Sequence, residues 1–554
     1  MVKSVFKIPE SHVNLQRNAF DVSNIELLSQ SLGQLLPVFV REVNPNEHVR
    51  INTELYSRTQ PLNSAAFVNI KQNVEFFFVP FRLLWSRSQQ FFPKTDYGTT
   101  TALSPYAPER TPTISLSRIA NAINYVHRGG TPDLLGYKIS YGMVRLLDML
   151  GYGDFSEYLT TDEKSATSTY KPNLFRILAY QKIYQDFYRN EVLESQNLNT
   201  YNVDSLFEAS SSGEIYSSED PSVTAAISGI LQLRYRNLRS DYFTCGRTNF
   251  TGASWMSSSV NPLVLPNSGS SIVSNPYSNN SSSGYQGNII GSVSNNLYGF
   301  SIANLRSAYA LDKLYDSMSR AKDGCYAHQV EARFGITPNL DDYHSRYLGG
   351  TDSHVQIGEV IGTSGDNLGD IGGKGTSYSN DGHTIDFDVE EHGIIMGIQS
   401  FMISSDYMAN GLERMNSKTR FEDYLQPEFS DLGYQPIYNY ELESPINNGS
   451  STSPNGVFSY VPRYSEYKTS FNRVHGNFRK NKSMSMWSAP IDLTDPFYAS
   501  SINFAKIKTN PSLLDSIFTV NFDGSVDTDQ FVCRNSFNCQ IIRPISVYGS
   551  PYLK

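Results

Sequence analysis

HVRINTELY, residues His48–Tyr56, decides how this chain is read. Val49, Ile51, Thr53 and Leu55 fall on one side of an extended backbone, and His48, Arg50, Asn52 and Glu54 on the other. That period of two marks a strand with one face against a core and the other against water. Val68, Ile70, Val74, Phe76 and Phe78 repeat the pattern opposite Asn69, Lys71, Asn73 and Glu75, until Pro80 stops the ladder. Near the end of the chain Phe531, Cys533, Phe537, Cys539 and Ile541 alternate with Gln530, Arg534, Ser536, Asn538 and Gln540. Ile394–Ile403 is apolar on both faces, as expected of a strand covered on both sides.

These segments lie far apart in sequence, so the sheet must close by non-local pairing, with long excursions between strands. An antiparallel β-sandwich suits this arrangement. Some excursions carry helical spacing. After Pro172, Leu174, Ile177, Tyr180, Tyr184, Phe187 and Tyr188 recur every three to four residues, predicting a helix buried on an aromatic stripe. A second helix is expected from Ser301 to Gly324, and a shorter one through Met143, Leu146, Leu147 and Leu150, ending at Gly151.

Composition bounds the function. With 554 residues, 39% of them hydrophobic, the chain has apolar mass for a sizeable core, which excludes disorder as its main state. The 36 Tyr and 31 Phe, with abundant Asn and Ser, favour strands and ordered loops over long helices. No apolar run approaches the roughly 18 residues needed to cross a bilayer, so membrane insertion is not expected. Met1–Glu10 has its apolar positions isolated by Lys7 and Pro9, so no signal peptide is expected. A net charge of −9 disfavours a stand-alone binder of phosphate backbones. Four cysteines, none spaced as CxxC, make neither a disulfide framework nor a zinc site.

The most unusual stretch is Thr248–Leu305, which holds no Asp, Glu, Lys, Arg or His over 58 positions. Within it, 21 of the 31 residues Pro266–Asn296 are Ser, Asn or Gly, too polar to form a core. It reads either as an unstructured insertion or as an exposed contact loop. Asn267, Asn275, Tyr277, Asn279, Asn280, Tyr285 and Asn288 are the candidate contact residues.

Other candidates are weighed by chemistry. Asp386, Asp388 and Glu390 would share one strand face, but the Gly-punctuated spacing of a calcium loop is missing, so a solvated face is expected and no metal site. Gly369–Gly375 hints at a phosphate cradle, yet Leu368 stands where its first Gly should be and Gly375 where Ser or Thr should follow Lys374. Neither HExxH nor a GxSxG elbow occurs, and no catalytic residue or cofactor is proposed. In RYRNLRSDYF, Arg234, Arg236 and Arg239 interleave with aromatics, the pattern of a single-strand nucleic-acid contact or of an amphipathic strand with a solvated basic face. Arg479, Lys480 and Lys482 form a second basic cluster open to the same two readings.

A series of segments, taken in order, resembles one family. NVEFFFVPFRLLW (Asn73–Trp85), LAYQKIYQDFYRNE (Leu178–Glu191), YNVDSL (Tyr201–Leu206), DYFT (Asp241–Thr244), IANLRSAYALDKLYD (Ile302–Asp316), RFGIT (Arg333–Thr337) and YLGG (Tyr347–Gly350) come first. EHGIIMGI (Glu391–Ile398), RFEDYLQPEFSDLG (Arg420–Gly433), RYSEYK (Arg463–Lys468) and HGNFRK (His475–Lys480) follow. Together they resemble the major capsid proteins of the Microviridae, particularly the gokushovirus and alpavirus-like branches. One departure is CGRTNFTGASW after DYFT, where the family commonly has a short run containing proline and tryptophan.

The resemblance implies a mainly β protein, an eight-stranded viral jelly-roll β-sandwich with long inter-strand insertions containing several helices. It implies a non-enzymatic shell subunit that assembles with copies of itself into a T=1 icosahedral capsid around circular single-stranded DNA. Expected partners are a small basic DNA-binding protein, a minor pilot protein and a scaffolding protein of the same virus, and a host surface receptor. The expected locations are the virion and, during assembly, the bacterial host cytoplasm. On this reading residues 1–30 are an N-terminal arm, 81–245 a helical insertion, 246–300 a variable surface loop for host attachment, 301–390 a helix and loop insertion, and 391–554 the C-terminal jelly-roll strands. The competing readings are a secreted carbohydrate-binding or carbohydrate-cleaving β-sandwich and a stand-alone single-stranded DNA-binding protein.

Overall fold

A computed structural model describes residues 17–92, 111–206, 221–248, 343–362, 371–380, 384–408, 410–444, 446, 454–492, 502–545 and 547. Fourteen strands occur among these residues. They are β1 (Asn18–Asp21), β2 (Asn24–Gln30), β3 (Leu36–Val43), β4 (Glu47–Thr59), β5 (Ile70–Pro80), β6 (Arg346–Ile361) and β7 (Ile371–Ser379). The remainder are β8 (Thr384–Val389), β9 (Gly393–Ile403), β10 (Asp406–Met408), β11 (Tyr434–Tyr438), β12 (Val457–Pro462), β13 (Asn472–Val474) and β14 (Phe531–Arg543).

Ten strands hydrogen-bond into one antiparallel sheet, and they fill eight lanes. β1 and β2 lie end to end along one edge of β14, and β7 and β8 end to end along one edge of β4. Counting lanes in chain order, the first pairs with the eighth, the second (β3) with the seventh (β9), the third with the sixth, and the fourth (β5) with the fifth (β6). This is a long antiparallel hairpin rolled on itself, the jelly roll. The roll turns a corner in β6, whose first part pairs with β5 and whose end, Gln356–Ile361, pairs with β7. Pairing of β14 with β4, and of β9 with β5, completes two four-lane sheets, one-eight-three-six and two-seven-four-five.

The alternation read from the sequence is what faces these sheets toward each other. Val49, Ile51 and Leu55 of β4 and Phe537, Cys539 and Ile541 of β14 are buried. Between the sheets, Phe39 of β3 and Phe76 of β5 meet Phe537 of the opposite sheet, with ring centroids 5.3–6.1 Å apart. Such packed rings contribute about 0.5–1.5 kcal/mol per pair beyond their burial.

β9 is buried on both faces because helices cover the outside of its sheet. The excursion from β5 to β6 supplies them: α1 (Leu116–Gly129), α2 (Ile139–Met149), α3 (Phe175–Ile183) and α4 (Pro221–Ile230). The aromatic stripe after Pro172 forms α3 and the π-helical turn Tyr184–Tyr188, with every stripe residue buried except Phe187. The expected short helix is α2, followed by Gly151 at φ +78°. The expected helix from Ser301 lies outside the described residues, as does the segment 249–342. A second excursion joins β9 to β14. It carries β10–β13 and packs a separate core in which Phe401 stacks on Phe531 at 4.0 Å.

Two boundaries differ from the sequence reading. Asn18–Gln30, within the expected arm, adds β1 and β2 to the sheet, held by β14. Arg346–Val389, within the expected helix and loop insertion, is β6–β8. The inward face of β6 is lined by Thr351, Ser353 and Val355 and β7 is rich in glycine, so neither shows hydrophobic alternation.

Candidate functional site

The basic run Arg234–Arg239 is built into a seam. The Leu35 amide donates to the Arg234 carbonyl at 2.9 Å, the Arg236 amide to Gly33 at 2.7 Å, the Thr509 amide to Arg236 at 2.8 Å and the Leu238 amide to Ile507 at 2.7 Å. The segment therefore runs as a strap between the turn before β3 and the chain leading to β14. Its side chains turn inward. Arg234 is buried, donates to Gln181 Oε1 at 2.8 Å and lies over the Tyr184 ring at 4.7 Å. Arg236 donates to the Glu75 carboxylate at 2.7 and 3.3 Å and to Ser400 Oγ at 2.9 Å. These two side chains are thus paired inside the subunit, Arg234 buried and Arg236 half-buried. The interleaved spacing is the same for a strap between two packed bodies as for a nucleic-acid stripe, so sequence alone leaves the two readings open. Arg239 is exposed. The following DYFT is a capped turn, in which Asp241 accepts from the amides of Phe243 and Thr244 and from the Tyr407 hydroxyl.

The second basic cluster occupies an exposed turn after the short 3-10 helix Gly476–Phe478. Lys480 and Lys482 are exposed and Arg479 is half-buried. Asn267, Asn275, Tyr277, Asn279, Asn280, Tyr285 and Asn288 lie outside the described residues.

Asp386 and Asp388 share the outward face of β8 as the alternation predicts, and both bind one imidazole. His48 Nε2 is 2.8 Å from Asp386 and Nδ1 is 2.9 Å from Asp388. Gly373 and Gly375 of the glycine run lie in β7, where their bareness serves packing. A Cβ on Gly373 would fall 2.1 Å from the Ser64 carbonyl oxygen, and one on Gly375 2.5 Å from Thr59 Cγ2. Cys533 and Cys539 are buried in the sheet, and burial pushes their thiols up to about 12 and about 11.

A cavity of about 160 Å³ lies between the end of the first excursion and the second, lined by Tyr242, Phe243, Phe471, Arg414, Glu441 and Glu466 among others. Its charged wall is already neutralised. Arg414 donates to Glu441 at 3.0 Å, the Tyr242 hydroxyl donates to the same carboxylate at 2.8 Å, and Lys418 donates to Glu466 at 2.8 Å. Burial raises the Glu441 carboxyl and the Tyr242 phenol. Such a network braces the fold. What the described surface offers instead is contact area: Phe421, Tyr424 and Leu425 are 71%, 51% and 51% exposed on one short turn.

A jelly roll whose connections carry large packed excursions, with apolar side chains left outward, fits the class of viral shell subunits. The chain belongs to the family described as Capsid protein (F protein), whose model matches residues 7–126 and 152–553, and it is a major capsid protein of the Microviridae kind. It is 25% identical to Capsid protein VP1 of Chlamydia phage 1, with 98% of this chain and 96% of that protein covered. It is 22% identical to Capsid protein VP1 of Bdellovibrio phage phiMH2K, covering 99% and 97%.

Proposed function

We propose that copies of this subunit close into a T=1 icosahedral shell around a single-stranded DNA genome, without catalytic activity of their own, and that the insertion 246–300 mediates attachment to the host. The observation that carries self-association is the exposed trio Phe421, Tyr424 and Leu425, large side chains crowded within five residues. A soluble monomer rarely leaves such a cluster in water, and a neighbouring copy would cover it. With a net charge of −9, the shell leaves most neutralisation of the genome to a small basic protein of the same virus. Pilot and scaffolding proteins act with it during assembly in the host cytoplasm.

Size-exclusion chromatography followed by negative-stain microscopy tests the assembly. Closed shells of one diameter support it, and a lone, well-folded molecule under all assembly conditions overturns it. A secreted carbohydrate-binding β-sandwich would instead be such a monomer and would bind glycans. Attachment rests on the uncharged Ser/Asn/Gly composition of the loop, an adaptable hydrogen-bonding surface. Deleting Pro266–Asn296 is expected to spare particle yield while lowering adsorption to host cells, and unchanged adsorption would remove the loop from that role.

A further inference from the structure

The outward face of the one-eight-three-six sheet carries a basic and aromatic cluster. Strand register places Tyr56 of β4 between Arg534 of β14 and Tyr378 of β7. The next outward residue of β4, Arg58, stands between Val532 and Thr376. Lys374 lies on the same face of β7, one alternation before Thr376. Arg58, Lys374 and Arg534 are exposed, and Tyr378 is 60% exposed.

Arg58 Nε donates to the Tyr56 hydroxyl at 2.6 Å, with its guanidinium 5.2 Å from the ring centre, so its charge has a neutral partner. Among the described residues no carboxylate forms an ion pair with Arg58, Lys374 or Arg534. Glu54 lies one row further along β4, and Asp386 and Asp388 sit at the far end of the face, turned to His48. Among the described residues, three cations thus stand without acidic partners around two outward phenol rings.

Phosphates match the three cations, and unpaired bases match the rings, which a duplex with its bases stacked inside cannot use. We infer that this face, centred on Tyr56, Arg58, Tyr378, Lys374 and Arg534, is where the subunit contacts single-stranded DNA. The inference rests on the reading that the shell encloses such a genome. It assigns the contact to residues distinct from Arg234 and Arg236.

Fluorescence anisotropy of the full-length subunit with a labelled oligothymidylate tests it. The unmodified chain should bind, R58Q/K374Q/R534Q should bind at least about tenfold more weakly, and the slope of log affinity against log salt should shrink by about 2. Y56L/Y378L should weaken binding with the salt slope retained. If the unmodified chain fails to bind, this contact face is overturned, while the enclosed-genome reading is decided separately by whether closed shells form. If R58Q/K374Q/R534Q binds as the unmodified chain does, only this face is overturned. Photocrosslinking of the unmodified chain to iodouracil-substituted DNA needs no variant to fold. Adducts on Tyr56 or Tyr378 support the assignment, and adducts confined to other residues overturn it. Protection of these two tyrosines in DNA-free shells would make the face a contact between copies and overturn it as well.

Discussion

Arg145 of α2 and Asp529, two residues before β14, form an ion pair sealed from solvent, their side chains 7% and 2% exposed. The same guanidinium donates to Gln34 Oε1 at 2.8 Å and to the Ser29 carbonyl at 2.9 Å, and Asp529 accepts from Ser31 Oγ at 2.9 Å. One buried charge therefore joins the helical excursion, the turn before β3 and the last lane of the roll.

Removing one member strands the other in a low dielectric. Arg145→Ala or Asp529→Ala is expected to cost about 3–5 kcal/mol, seen as a lower denaturant midpoint of the isolated subunit. Replacing both by apolar residues should recover much of that loss. If either single variant unfolds at the original midpoint, the pair does not brace the fold.

Stability should vary with pH through buried lysines and tyrosines. Burial holds Lys508 down from 10.5 to about 8, against the opposing pull of Glu194, and burial also holds Lys506 at about 8. Below about pH 8 folded and unfolded chains both hold these protons, and the burial penalty is constant. Between about 8 and 10.5 the unfolded chain keeps protons that the folded chain has released, so these groups raise stability with pH. From about pH 10 the unfolded tyrosines ionise while burial keeps Tyr180, Tyr184 and Tyr188 protonated, and stability falls. Denaturant melts across pH 7–11 should show a maximum between these windows, and Lys506→Met with Lys508→Met should flatten the rising limb.

The exposed turn should matter to assembly and not to folding. Phe421→Ser, Tyr424→Ser and Leu425→Ser together should shift subunit stability by only about 0.5 kcal/mol, because these side chains bury little within one copy. Particle yield on a sucrose gradient should fall sharply. Full yield would place the copy–copy contact elsewhere.

Thiol chemistry offers an independent check on the sheet. Iodoacetamide at neutral pH should leave Cys533 and Cys539 unmodified in the folded subunit, since both are buried and their thiols raised. Cys245 is surface-accessible and should label before these two, slowly, because its thiol is also raised by burial and by Asp241. Peptide mass mapping reads the order directly.

The strands with large apolar residues on one face, β4, β5 and β14, are legible in the sequence, and so is β9, whose coverage on both sides leaves an unbroken apolar run. β8 shows its alternation in Asp386 and Asp388 set against Ile385, Phe387 and Val389, whereas β7 is not legible because its inward positions are Gly and Ser, and β6 alternates polar with polar. Lane order is also hidden: Phe531 lies beside Thr59 on one side and Gln30 on the other, a pairing no local pattern encodes. The aromatic spacing of α3 is a local signal and was readable. Arg234 stays ambiguous in the sequence because its partners, Gln181 and Tyr184, lie some fifty residues earlier. The cluster around Tyr56 leaves a trace in the outward Tyr and Arg of β4, but its members come from three lanes and meet only after folding.

β5 leaves the roll beside the place where β6 returns to it, Phe78 facing Arg346 across the ladder. The chain between them starts and ends at one point of the ladder, and its helices and the strap Arg234–Leu238 pack back onto the roll. Lengthening such a closed appendage costs little, about 0.6 kcal/mol of closure entropy for each doubling. Because both ends meet at one edge of the roll, a longer insertion between them leaves the lane order of the strands unchanged.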